Sequence, residues 1–286
     1  MRRRGCLRAG LFALAGWLAW SAWPLPAATP APRVVSLGGD ITETLYALDA
    51  QQALVGVDST SEWPAAAKKL PDVGYVRQLN AEGVLALRPS LVIATHDAGP
   101  PPVIAQLRSA GVPLEILPAS RTPADVAAKV RRIGHLLGRD AQADALAGRI
   151  ERDYATLARR VAAMPSRPRT VFLMSMGGGS PMAAGRGTAA DRMIALAGGR
   201  NAVTGYDGYK PVSAEGLVAL APQVIVMMRE GARGGIDEVL RQPGVAQTPA
   251  GKARRVILVD GQALLGFGPR SAGAALALQR QLAAAP

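Results

Sequence analysis

The chain has 286 residues, a formal net charge of +12 and a single cysteine. Because Cys6 precedes the first apolar run, the rest of the chain has no thiol, which excludes disulfide scaffolds, cysteine catalysis and thiolate metal sites there. The basic charge favours anionic ligands, but the arginines are scattered without interleaved aromatic runs, which argues against nucleic acid as a partner.

The N-terminus has the pattern of a secretory signal peptide. Arginines at positions 2, 3, 4 and 8 precede a short apolar run over 11–23, and small residues follow at 27–31. The run is too short for a membrane anchor, and its flank is typical of a cleavage site. We expect residues 1–31 to be removed on export, which leaves about 255 residues with a charge near +8. A chain of that length can bury a sufficient core without disulfides.

Short apolar strands alternate with helices through the first half of the remaining chain. Strands are expected at 33–38, 54–58, 91–95 and 113–118, and the amphipathic segments between and after them favour helices. Strands that are apolar on both faces and separated by helices indicate a parallel sheet. The second half shows the same pattern, with strands expected at 170–175, 224–228 and 256–259.

A long amphipathic helix is predicted between the two halves, from Asp140 to Met164. No flexible Gly/Ser linker occurs, so this helix is interpreted as a stiff connector. The predicted organisation is an N-terminal lobe over 32–138, a connecting helix over 139–164 and a C-terminal lobe over 165–286. The predicted fold class is α/β, with two Rossmann-like lobes, parallel-type sheets and a ligand cleft between the lobes.

One stretch occurs twice, at 74–93 and 208–226. Each copy has a Gly-Tyr pair, a short helix that carries Ala-Glu-Gly, a proline and an apolar strand. The match needs a gap of one residue and predicts two similar lobes, each with its own core.

No enzyme motif is present: the chain lacks a Walker phosphate loop, a Gly-x-Ser-x-Gly elbow and a His-Glu-x-x-His helix. Its two histidines, His96 and His135, cannot form a histidine-rich metal site. His135 lies within an amphipathic helix and is interpreted as structural, and His96 lies in a loop at the end of a predicted strand. From the residues alone, Tyr75 is either an amphipathic surface side chain or a phenolate ligand for ferric iron.

Three segments together resemble the substrate-binding proteins of haem ABC importers, within the larger cobalamin/siderophore-type group: 74–83, 180–191 and 266–270. The resemblance implies that Tyr75 is the axial ligand of ferric haem and that Arg229 is the best match for an arginine that stabilises the phenolate. Some relatives have a histidine in the glycine-rich loop of the second lobe, where this chain has Met174 and Met176. The iron would then be held by Tyr75 alone or with a weak methionine contact.

The resemblance also implies a docking surface and a pocket. Glu82 and Glu215, at equivalent positions of the repeat, would contact arginines of the permease, although first-turn acids also complement a helix dipole. Candidates for the haem propionates or the pocket wall are Arg77, Arg186, Arg270, Met176, Met182 and Phe267.

The expected function is capture of ferric haem by a monomeric periplasmic carrier, with an inner-membrane ABC permease and its ATPase as partners and no chemistry on the ligand. A siderophore or cobalamin carrier of the same fold is the nearest alternative. An exported haem-processing enzyme is a further one, but the chain lacks an acid–base or nucleophile constellation.

Overall fold

The first half of the chain forms an all-parallel sheet flanked by helices. The structure, a computed structural model, describes residues 32–174, 181–232 and 234–284, so the predicted signal peptide lies outside the described residues. The strand order is β2-β1-β3-β4. The elements of this first lobe are β1 (Val34–Leu37), α1 (Gly39–Ala47), β2 (Leu54–Val57), α2 (Ala81–Ala86), β3 (Leu91–Thr95), α3 (Pro101–Ser109), β4 (Leu114–Leu117) and α4 (Pro123–Leu136).

A single long helix, α5 (Asp140–Ala162), follows α4 and ends two residues before the predicted boundary. Leu146, Ile150 and Leu157 form a buried stripe along it, because they recur at helical spacing. The buried Tyr154 hydroxyl donates a 2.8 Å hydrogen bond to Ser271 at the start of the last helix. Burial raises the pKa of Tyr154 to about 12, against the smaller opposing effect of that bond, so this phenol stays neutral at physiological pH.

The second lobe is built on a mixed sheet of order β10-β9-β5-β6-β8, with β7 also paired to β5. Strands β5, β9 and β10 are parallel as predicted, whereas β6 and β8 run antiparallel at one side. Each of these two has three residues, too few to show a periodic pattern. The elements are β5 (Arg169–Met174), β6 (Met182–Ala184), α6 (Ala189–Leu196), β7 (Arg200–Asn201), β8 (Tyr209–Pro211), α7 (Ala214–Leu220), β9 (Val224–Met228), α8 (Gly235–Leu240), α9 (Pro249–Lys252), β10 (Val256–Val259), α10 (Gly261–Leu265) and α11 (Ser271–Ala283).

The sequence repeat is also a structural repeat. Its two copies form α2 with β3 and α7 with β9. Equivalent positions have left-handed backbone: Gly74 and Gly208 before the tyrosines, and Arg88 and Ala221 before the prolines. The copies differ at the tyrosines, because Tyr75 lies in a loop and Tyr209 begins β8.

The largest hydrophobic cluster is continuous through both lobes. It includes Ile41 from α1, Ile150 from α5, Phe172 from β5 and Leu278 from α11. Each sheet has a second, separate cluster on its other face. This differs from the expected separate core in each lobe, because α5 packs against both α4 and α11. Within the segments that the structure describes, none of the helices has the length and apolar composition needed to cross a bilayer.

The lobes also meet through buried charged side chains. Asp40 and Glu43 lie in α1 of the first lobe, and both are buried. Lys129 from α4 binds the Asp40 carboxylate and lies 3.5 Å from the Gly266 carbonyl of the second lobe. Arg270 donates to both oxygens of Glu43, from its backbone amide at 2.7 Å and from Nε at 2.9 Å. We call Asp40, Glu43, Lys129 and Arg270 the inter-lobe clamp.

Further contacts surround Arg270 at this junction. Its Nη1 donates to Asp260 at 2.8 Å, and the guanidinium lies 4.3 Å from the centre of the Trp63 ring. Gln262 in α10 accepts hydrogen bonds from the backbone of Glu62 and Trp63 and donates to the Gly39 carbonyl. The end of β10 is therefore tied to the first lobe at several points.

Candidate functional site

Tyr75 lies in the loop between β2 and α2, with 38% of its surface exposed. Gly74 has a φ of 92°, a conformation that a residue with a side chain rarely adopts, and its amide is held by Asp72 at 2.8 Å. Backbone bonds between Val76 and Gly99 and between Leu79 and Gly99 join this loop to the one that follows β3. The aromatic ring thus projects from a loop anchored at the carboxyl end of the first sheet.

The partner of the Tyr75 hydroxyl is Arg77, two residues along the same loop. Arg77 Nη1 donates to the hydroxyl, and its guanidinium carbon lies 5.6 Å from the ring centre. Nε and Nη2 bind one oxygen of Asp97 at 2.7 and 2.5 Å. The guanidinium therefore bridges a phenol and a carboxylate.

Asp97 comes two residues after the end of β3. Its other carboxylate oxygen accepts a 2.7 Å hydrogen bond from the Thr95 hydroxyl, and His96 Nδ1 lies 3.9 Å away. Burial raises the pKa of Asp97, but the bonds from Thr95 and Arg77 outweigh it and hold the pKa below its ordinary value. At neutral pH Asp97 is an anion, which keeps its attraction for Arg77.

Tyr209 and Arg121 complete a polar group that spans both lobes. Burial raises the pKa of Tyr209 against the opposing effects of the Ala190 amide, the Thr188 hydroxyl and the charges of Arg121 and Arg77. The Tyr209 hydroxyl therefore lies at the start of α6, within electrostatic reach of an arginine that binds Tyr75.

Arg229 follows β9 directly, and its predicted role toward Tyr75 stays a prediction. Its side chain is exposed at the end of β9, and its charge acts on Asp260. Burial raises the pKa of Asp260, but the Ala263 amide, Arg270 and Arg229 together hold that pKa below its ordinary value. In the parts of the chain that the structure covers, the arginine bonded to the Tyr75 hydroxyl is Arg77. The phenolate-stabilising role predicted for Arg229 is better matched by Arg77, for which a propionate contact was expected.

The predicted propionate and pocket residues divide into two sets. Arg186 is exposed and pairs with Asp207 at 2.9 Å, and Met182 is half-buried on β6, so both remain candidates. Arg270 is held by Glu43 and Asp260, and Phe267 is only 1% exposed within the core. These contacts favour structural roles for Arg270 and Phe267. Met176 lies outside the described residues.

Glu82 and Glu215 occupy equivalent, exposed positions in the first turns of α2 and α7. Asn80 and Ser213 cap these helices with their side chains, at 2.9 Å to the Glu82 amide and 3.1 Å to the Gly216 amide. Bonds from its own amide and from Ser213 lower the pKa of Glu215, against a weaker effect of burial. No salt bridge holds either carboxylate within residues 32–174, 181–232 and 234–284.

Two residues of this site were missed by sequence reasoning: Asp97 and Arg121. Asp97 follows a predicted strand, and that position could have identified it. Its pairing with Arg77 spans 20 residues and depends on how the two loops meet. Across the described residues, no group of three or more histidine, cysteine, aspartate or glutamate side chains is arranged to hold a metal ion.

Comparison with known proteins identifies the class. The family model described as periplasmic binding protein matches residues 34–263, and the chain belongs to that family. The chain is similar to the periplasmic heme-binding protein RhuT from Roseiflexus sp. RS-1 in apo form, with a TM-score of 0.84, 40% identity and coverage of 89% of this chain and 99% of that one.

Two further relatives differ in the ligand that their names give. The periplasmic heme-binding protein BhuT, in complex with two hemes, has a TM-score of 0.83 and 42% identity, over 89% of this chain and 98% of that one. A vitamin B12-binding protein from Yersinia pestis is 33% identical over 80% of this chain and 81% of its own length. The family and these neighbours are binding proteins, and the predicted resemblance and two-lobed α/β fold are confirmed.

Proposed function

We propose that this protein is a periplasmic carrier that binds ferric haem between its two lobes and delivers it to an inner-membrane ABC importer. The observation that supports it most directly is the exposed Tyr75 phenol, held by Arg77 at the carboxyl edge of a parallel sheet. Ligands of open parallel sheets bind at that edge. RhuT and BhuT, which are named for haem, are 40% and 42% identical to this chain, and the vitamin B12-binding relative is 33% identical.

The chemistry of Tyr75 suits ferric iron. A phenolate is a hard anionic ligand, and tyrosine holds haem iron in other proteins. A guanidinium that donates to the phenolate oxygen favours the anionic form, and a bound cation favours it further. Arg77 would therefore support the ligand atom. We propose that Arg121, whose charge acts on Tyr209, and Arg186, whose side chain is exposed, attract the propionates.

A hemin titration of the mature protein, followed by absorbance, tests this function. We expect a sharpened Soret band and a high-spin ferric tyrosinate charge-transfer band, with cyanocobalamin unable to compete. Competition by cyanocobalamin with no haem spectrum would favour a corrinoid carrier, as the vitamin B12-binding relatives suggest. Product analysis after incubation with haem should recover the porphyrin unchanged, and conversion of it would favour an exported haem-processing enzyme.

Glu82 and Glu215 are proposed to dock the monomeric carrier on the permease, one contact for each lobe. Their exposure and equivalent positions in the repeat support this role. We expect a Glu82→Ala and Glu215→Ala double variant to stimulate the ATPase of the reconstituted importer roughly tenfold less than wild type at limiting concentration, because complementary charges speed docking and fix its orientation.

Haem binding should be unchanged in that double variant, since neither carboxylate lies in the ligand site. Glu238→Ala is a matched control, because Glu238 is also an exposed helix carboxylate but pairs with Arg241 within its own chain. Full stimulation by the double variant, or an equal loss in the control, would contradict the docking role.

A further inference from the structure

The carboxylate of Asp97 is shared between two partners of unequal mobility. One oxygen accepts from Thr95, the last residue of β3, which is paired with Leu117 in the sheet. The other oxygen accepts a hydrogen bond from Arg77 Nε and forms a salt bridge with Arg77 Nη2. A rigid strand is thus connected through Asp97 to a loop arginine.

Arg77 needs such a connection because its side chain is otherwise free to move. Its side chain is 58% exposed, and its third contact is the hydroxyl of Tyr75, which is itself exposed. A long flexible cation between two exposed groups is not fixed by packing. A hydrogen bond from Nε and a salt bridge from Nη2 to the same Asp97 oxygen restrict the position of the guanidinium.

We propose that Asp97 is a positioning residue that holds the Arg77 guanidinium against the Tyr75 oxygen, the atom that would bind iron. This inference rests on the proposed role of Tyr75 as the haem ligand. Asp97 acts through Arg77, since its own oxygens are directed at Thr95 and Arg77. Thr95 holds the Asp97 carboxylate in place, and that carboxylate holds the Arg77 guanidinium.

The test is a double-mutant cycle of Asp97→Asn and Arg77→Ala, read by the rate of haem transfer to an excess of scavenger and by the charge-transfer band. Each single variant should release haem about tenfold faster than wild type, because supporting residues of a metal ligand commonly contribute 10- to 100-fold. The double variant should release haem no faster than Arg77→Ala alone. Thr95→Val should give a smaller change in the same direction.

A second readout needs no haem. In protein labelled with ¹⁵N-arginine, the Nε–H signal of Arg77 should be protected from exchange in wild type and lost in Asp97→Asn. Asp144→Asn is the matched control, because Asp144 is an exposed residue of α5 whose carboxylate pairs with Arg131 Nε at 3.1 Å. The control should change neither the Arg77 signal nor haem release.

The outcomes separate this inference from the function on which it rests. If wild type binds no haem, the proposed function fails, and the Arg77 signal still decides whether Asp97 holds the arginine. If wild type shows the tyrosinate spectrum but Asp97→Asn keeps both the Arg77 signal and the wild-type release rate, the positioning role is overturned. Additive effects of the two substitutions would also overturn it, because Asp97 would then act independently of Arg77.

Discussion

A Tyr75→Ala variant is expected to lose the tyrosinate-to-iron charge-transfer band and at least about 100-fold in haem affinity, since even residues that only support a metal ligand commonly contribute 10- to 100-fold. The substitution removes the exposed phenol that Arg77 holds at the sheet edge. Arg77 would keep its bonds to Asp97, so the rest of the cleft should be preserved. Hemin titration and haem transfer to a scavenger, each followed by absorbance, measure the two effects.

Two further substitutions test whether the Tyr75 oxygen is responsible for the loss of the charge-transfer band and of haem affinity. Tyr75→Phe keeps the ring and removes only the oxygen, so it should match Tyr75→Ala in the charge-transfer band. Tyr206→Phe is the control, because the Tyr206 hydroxyl makes a 3.3 Å bond to the Ala183 carbonyl and has no proposed role in binding. If Tyr75→Ala retains the wild-type spectrum, the iron ligand is elsewhere, and Tyr209 and His96 become the next residues to change.

The elements that sequence reasoning predicted correctly are those with a local signal. The strands of the first sheet are apolar on both faces, and α5 has a buried stripe at helical spacing, so periodicity alone locates them. Tyr75 was selected by its motif and its loop position. The antiparallel β6 and β8 were missed because three-residue strands carry no period.

The contacts of individual arginines could not be read from the sequence in the same way. Arg270 was a plausible propionate ligand, but the fold places it against Glu43, 227 residues away in the chain. Arg77, for which a propionate contact was predicted, is bonded to the Tyr75 hydroxyl. An arginine is long enough to reach several groups, and only the packed loops decide which one it binds. Sequence spacing therefore located the elements that carry these arginines but did not predict what the arginines contact.

Arg270→Met is expected to destabilise the ligand-free protein by about 3 kcal/mol, because it leaves the Glu43 carboxylate buried without its partner. Glu43 is 1% exposed, whereas the Arg270 side chain is 26% exposed and also binds Asp260. Glu43→Gln should therefore cost less, about 1–2 kcal/mol, since Arg270 keeps one carboxylate and some access to water. Urea unfolding measures both values.

Arg241→Met, which breaks an exposed pair with Glu238, is the control and should lower the free energy of unfolding by about 0.5 kcal/mol or less.

The pH dependence of the stability lost in Arg270→Met tests whether the unpaired Glu43 carboxylate causes that loss. Burial raises the pKa of Glu43 above its ordinary value even though Arg270 opposes the shift. A folded-state pKa above the unfolded one means that the stability from protonated Glu43 is present at low pH and is lost as pH rises through the folded pKa. Removing Arg270 raises that pKa further, so the deficit of Arg270→Met relative to wild type should be largest at neutral pH and shrink on acidification. A deficit that does not change with pH would mean that lost packing on Trp63, rather than the unpaired carboxylate, is what destabilises the clamp.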